Sequence, residues 1–104
     1  DMDFRYKTSG DDVIWKPTQI FNDGIRTFIK VDPKSLFQPS PTFVVVDPNT
    51  NQLELVNFRQ KGNWYIVDQV FEKGAFIYNV GRNQQRVDIT HITNTKKPNT
   101  NQLY

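Results

Sequence analysis

The sequence predicts an all-β domain, a two-sheet antiparallel β-sandwich of about 8–9 short strands with at most one short helical turn. Three observations predict it. Val, Ile, Phe, Tyr, Trp and Thr recur in short runs. Turn residues separate those runs at short intervals. No window of about 11 residues carries a helical period.

Phe4–Thr8, the first run, alternates ring and cation at the start of the chain and reads as an edge strand. Ser9-Gly10-Asp11 then reverses the chain, and Val13–Lys16 and Thr18–Phe21 lie on either side of Pro17. Asn22-Asp23-Gly24 is a hairpin tip in which Gly24 supplies φ > 0, followed by the strand Ile25–Val31. Alternation puts Ile25, Thr27, Ile29 and Val31 on its core face and Arg26, Phe28 and Lys30 on the other. Asp32–Pro41 contains three prolines and reads as a loop crossing between sheets.

Thr42–Val46 and Leu53–Arg59 are the next strands, joined through Asp47-Pro48-Asn49. Lys61-Gly62-Asn63 leads into Trp64–Val67, where the adjacent Trp64 and Tyr65 face opposite sides, so at least one is core. In Asp68–Gly74, Asp68 can cap a single helical turn and Gly74 can end it in the left-handed region. Ala75–Val80 and Arg86–Thr93 follow, separated by Gly81-Arg82-Asn83. The domain organisation predicted is a sandwich over 1–93 and a flexible polar tail over 94–104, with Leu103 and Tyr104 at its end.

At 104 residues the chain suits one domain. Hydrophobic content of 37% supplies a core, and 23% charged residues keep the surface polar. The net charge of +2 comes from Lys and Arg scattered along the chain, so no nucleic-acid binding is expected. The absence of cysteine excludes disulfides, thiolate metal sites and thiol nucleophiles. No apolar run approaches the ~18 residues of a membrane span, and no signal peptide is present. Beginning at DMDFRYKT with neither feature, the chain reads as a fragment of a longer, exported protein.

Catalytic and metal chemistry find little support in the residues. His91 is the one histidine; Val87, Ile89 and His91 share a strand face, so it reads as a satisfied sheet residue. Asp47, Asn49 and Asn51 imitate the start of a calcium loop, but Gln52 stands where glycine is needed and Phe58 where a bidentate glutamate is needed. Asp11 and Asp12 are adjacent, so they point apart on a strand or sit solvated in a turn, and Asp23 reads as a turn residue. The chain is expected to be no enzyme, with no cofactor and no metal.

Binding surfaces are better supported. Arg26, Phe28 and Lys30 form either an outer sheet face with cationic stems over Phe28 or a contact surface for another subunit. Phe4, Arg5, Tyr6 and Lys7 offer an edge that either repels pairing through its charges or accepts a strand from a dedicated partner. A third reading makes Trp15, Trp64 and Tyr65, with the many amide side chains, a carbohydrate-binding β-sandwich.

The order of motifs resembles the C-terminal domain of the TrbG/CagX family, conjugal-transfer and type IV secretion proteins equivalent to the ninth protein of the VirB operon. The matching residues are Trp15-Pro17, Phe21 to Gly24, Thr27 to Ile29, Pro41 to Phe43, Leu55 to Arg59, Gly62, Tyr65 to Asp68, Phe71, Val80-Gly81 and Val87 to Ile89. The end of the last run, ITHITNTKK, departs from the basic residue that the family pattern carries soon after the final Ile. The resemblance implies a non-catalytic β-sandwich in the outer-membrane core complex of a secretion machine, on the periplasmic side of the outer membrane. It further implies ring assembly, a short lipoprotein partner equivalent to the seventh VirB protein and a channel-forming partner equivalent to the tenth. Placing the lipoprotein on Phe4 to Lys7 combines edge physics with this analogy.

Overall fold

The computed structural model describes residues 2–37, 40–79 and 83–92. Nine strands form two antiparallel sheets: β1 (Tyr6–Gly10), β2 (Pro17–Asn22), β3 (Thr27–Val31), β4 (Thr42–Val46), β5 (Leu53–Leu55), β6 (Phe58–Lys61), β7 (Trp64–Val67), β8 (Lys73–Tyr78) and β9 (Gln85–His91). One sheet runs β1-β9-β8-β4-β5 and the other β2-β3-β7-β6. The expected β-sandwich is therefore present, with one 3-10 turn among the described residues, at Pro33–Phe37 inside the stretch expected to be plain loop.

β3, β7 and β9 follow the period of two. Thr27, Ile29 and Val31 of β3 are buried and Phe28 and Lys30 half-buried on the other face; Val87 and Ile89 of β9 face the core and Asp88 and Thr90 do not. Ile25 departs from this: it precedes β3 in the hairpin loop and is 69% exposed. The core joins the sheets through rings. Tyr65 of β7 meets Phe76 of β8 at 4.8 Å, and Phe76 meets Phe43 of β4 at 5.0 Å.

Four further expected elements differ. Val13–Lys16 is a turn that leaves Trp15 3% exposed, packed edge-on to Phe76 at 6.1 Å; Trp15 plugs the core with Val13 packed against it, while Ile14 stays exposed. Leu53–Arg59 breaks at Val56-Asn57, because the chain passes from the five-stranded sheet to the four-stranded one. Asp68–Gly74 forms no helical turn: the Asp68 amide donates to Asn57 O at 3.1 Å, extending the β6–β7 pairing, and Gly74 lies within β8. The first strand begins at Tyr6, two residues later than expected, because Asp3 bridges to Asn22. Val80, Gly81, Arg82, Thr93 and the expected tail over 94–104 lie outside the described residues.

Turn chemistry fixes the hairpins. Gly24 has φ 93° between β2 and β3. Lys61 pairs with Trp64 across the two-residue loop Gly62-Asn63, and Gly62 at φ 60° occupies the position that a type II′ turn gives to glycine. Asn63 then ties this hairpin to β3, its side-chain amide donating to Val31 O at 2.9 Å.

Candidate functional site

Two open surfaces stand out, and the first lies where the sheets part. β1 ends one sheet and β2 ends the other. Between them runs a groove of about 380 Å³ lined by Phe4, Tyr6, Lys7, Thr8, Pro17 and Ile20 among others. Arg5 O accepts from the Ile92 amide at 2.8 Å and the Asp11 amide donates to Arg86 O at 2.9 Å. Odd-numbered residues of this segment thus turn their backbone groups toward β9, and the alternation of an antiparallel ladder aims those of Thr8 and Gly10 at the open edge, whereas the Tyr6 amide donates to Phe4 O at 2.9 Å.

One end of the groove is held by a polar clamp. Asp3 and Asn22 exchange backbone hydrogen bonds at 2.9 Å each. The buried Asn22 side chain donates to Tyr6 Oη at 2.7 Å and accepts from the Gly24 amide at 2.9 Å. Asp3 also takes Arg5 Nη2 at 2.9 Å and lies 2.8 Å from His91 Nε2, while the His91 ring packs on Tyr6 at 4.8 Å. Donation from the Arg5 guanidinium first, then from the Arg5 amide and His91, holds the Asp3 carboxyl well below the usual carboxylate range. Burial pushes the Tyr6 hydroxyl up. The clamp fixes where β1 starts, and its ends are 88 residues apart in sequence, so no local pattern announces it.

The second surface is the outer face of the four-stranded sheet. Phe21 stacks on Phe28 with centroids at 4.9 Å and planes 14° apart; Trp64 stands edge-on to Phe21 at 5.7 Å, and Phe4 leans on Phe21 at 5.2 Å. Cross-strand register aligns Lys30, Trp64 and Lys61 in one row and Phe28, Ile66 and Arg59 in the next. Lys30 Nζ lies 5.6 Å from the Trp64 ring centroid. The face has four cations against two carboxylates: Arg26 pairs with Asp23 at 3.7 Å and Arg59 with Asp68 at 3.5 Å, and Lys30 and Lys61 have no ion-pair partner among the described residues. Arg26 Nε is buried without a hydrogen-bond partner there.

The residues singled out in the sequence are distributed as follows. Tyr6 and Lys7 lie in edge strand β1, whereas Phe4 and Arg5 precede it, Phe4 over the groove and Arg5 against Asp3. Phe28 and Lys30 share the aromatic face, and Arg26 stands just before β3. Reading alone missed Phe21, Lys61, Trp64 and Ile66 as members of that face. The Gly62-Asn63 hairpin signal was available, and it places Lys61 opposite Trp64. Trp15 and Tyr65 are 3% and 2% exposed, so the sugar-stacking platform reduces to Trp64.

The turn readings of Asp47 and Asp23 hold, whereas Ser9 and Gly10, expected to reverse the chain, continue β1 opposite Asp88 and Val87. Asp47 Oδ1 accepts from the Asn49 amide at 2.8 Å, and Asn51 has φ 61°. Asp11 Oδ2 accepts from the Arg86 amide at 2.8 Å. Asp23 Oδ1 accepts from the Ile25 and Arg26 amides at 2.9 and 2.8 Å, which lowers the pKa of Asp23. Among the described residues no cluster of three or more His, Cys, Asp or Glu could hold a metal ion, and no helix is long and apolar enough to cross a membrane.

Residues 1–92 match a family model described as "CagX: Conjugal transfer protein". The "Probable conjugal transfer protein TrbG" of Sinorhizobium fredii (strain NBRC 101917 / NGR234) is 31% identical over 88 residues, which cover 85% of this chain and 32% of that protein. The chain thus spans about a third of the length of the curated relative it matches.

Proposed function

Because the chain belongs to the CagX family of conjugal transfer proteins, we propose that it is a non-catalytic building block of a type IV secretion or conjugation complex at the periplasmic side of the outer membrane. In this reading a short outer-membrane lipoprotein, equivalent to the seventh VirB protein, adds a strand to β1 and lies in the groove toward β2. Copies of the full-length protein assemble in a ring with a channel-forming partner equivalent to the tenth. The observation that carries the reading is the open β1–β2 groove, where the Thr8 and Gly10 backbone groups, without a strand partner among the described residues, face a partly apolar wall on the other edge. That combination is what strand addition uses: the backbone supplies affinity and alternate side chains supply register.

Titrating the ¹⁵N-labelled chain with a synthetic peptide of the cognate short lipoprotein tests it. Shifts along Tyr6–Gly10 and Pro17–Ile20 are expected. Binding that leaves β1 unmoved removes the edge assignment, and no binding at all removes the lipoprotein partner.

A further inference from the structure

The aromatic face deepens the scaffold reading through a recess whose lining residues are distinct from those of the adjoining β1–β2 groove, so either site can fail without the other. Its centre is a recess of about 220 Å³ lined by Phe21, Phe28, Lys61, Trp64 and Ile66. This is smaller than the roughly 300–1,000 Å³ of small-molecule pockets and suits one large side chain. The two lysines flank Trp64 in a single cross-strand row, and neither meets a carboxylate within ion-pair range among the described residues.

We propose that this recess docks a peptide segment of another polypeptide, with one large apolar side chain between Phe28, Trp64 and Lys61 and carboxylates on either side meeting Lys30 and Lys61. Burial of the apolar side chain supplies affinity, and the lysines at the rim select acidic neighbours and speed encounter. A sugar is a poorer occupant: Phe21 and Phe28 spend ring faces on each other, and Lys30 lies near Trp64. A lipid surface is also poorer, because it is met by protruding apolar side chains and these form the walls of a recess.

The test uses the full 104-residue chain, ¹⁵N-labelled, and a blocked synthetic peptide with one central phenylalanine between paired glutamates. The same peptide with lysines for glutamates, phosphatidylglycerol vesicles and a chitin oligosaccharide are the comparison probes. Expected is a shift of the Trp64 indole N–H and of the Phe28, Lys30 and Lys61 amides with the glutamate peptide, weakened by salt. Lys30→Glu and Lys61→Glu each weaken that binding several-fold and improve binding of the lysine peptide. Lys61 is exposed and Lys30 half-buried on the outer face, and unchanged amide shifts of β9 in each free variant report that the fold is kept. No shift, equal response to both peptides, or shifts confined to Tyr6–Gly10 overturns the proposal. A response to vesicles or the oligosaccharide in place of the peptide overturns it in favour of that ligand.

Discussion

A Cβ added to Gly74 would lie 2.5 Å from Phe43 Cζ and 3.0 Å from Phe71 Cε1. The strand backbone is bare there because two core rings press on it. Gly74→Ala should destabilise the fold by about 1–3 kcal/mol through overpacking, read as a lower urea midpoint; an unchanged midpoint would show that both rings can give way. Two carboxylates make the other residue-scale prediction. Asp3 and Asp23 both have lowered pKa values in the fold, Asp3 chiefly through the Arg5 guanidinium and Asp23 chiefly through the Arg26 amide. A depressed folded value means that the stabilisation is complete above the ordinary value of about 4 and drains away as pH falls toward the folded value. Asp3→Asn should therefore lose stability at neutral pH and show a shallower decline between about pH 4 and 2 than the parent chain. Parallel curves from urea unfolding across that range would remove Asp3 from the acid response.

At the scale of elements, β1 gives the sharpest prediction because its two sides differ. The Thr8 amide is aimed away from β9, so proline at position 8 removes a donor from the open edge and leaves the ladder to β9 in place. Thr8→Pro should abolish the lipoprotein-peptide shifts while the β1–β9 pairing survives, read from unchanged amide shifts of Asp88 and Thr90 in the free variant. A variant that still binds in full would show that the peptide does not pair with β1. The same strand shows what the sequence leaves open. Its existence follows from the alternation of rings and cations, but its start follows from the Asp3–Asn22 bridge and the His91 contact, which join distant parts of the chain. β5 and β6 differ from expectation for a related reason: Leu53 to Arg59 is continuous in strand propensity, and only the need to change sheets breaks it at Val56-Asn57. Trp64–Val67 and Thr42–Val46 match expectation because each is bounded by its own turn or proline and is paired on both sides.

At the scale of the molecule, alternation reveals which face of a strand is buried but not which ring meets which across the sandwich. Phe76 illustrates this: it comes from β8, yet its neighbours are Phe43 of β4, Tyr65 of β7 in the opposite sheet, and Trp15 from a turn. The aromatic face is another case, since Phe21, Phe28 and Trp64 come from three strands whose order the sequence does not state. Phe76 is completely buried, and its ring connects both sheets with the Trp15 plug. Phe76→Ala should therefore cost about 3–5 kcal/mol, a large share of the roughly 5–15 kcal/mol that holds a small domain together. Because the ring is shared, the loss should appear in both sheets at once, with far-UV circular dichroism and tryptophan fluorescence moving to the same lower urea midpoint. Trp15 reports the core and Trp64 the outer face, so separate midpoints in the variant would show that the four-stranded sheet keeps its structure without that ring.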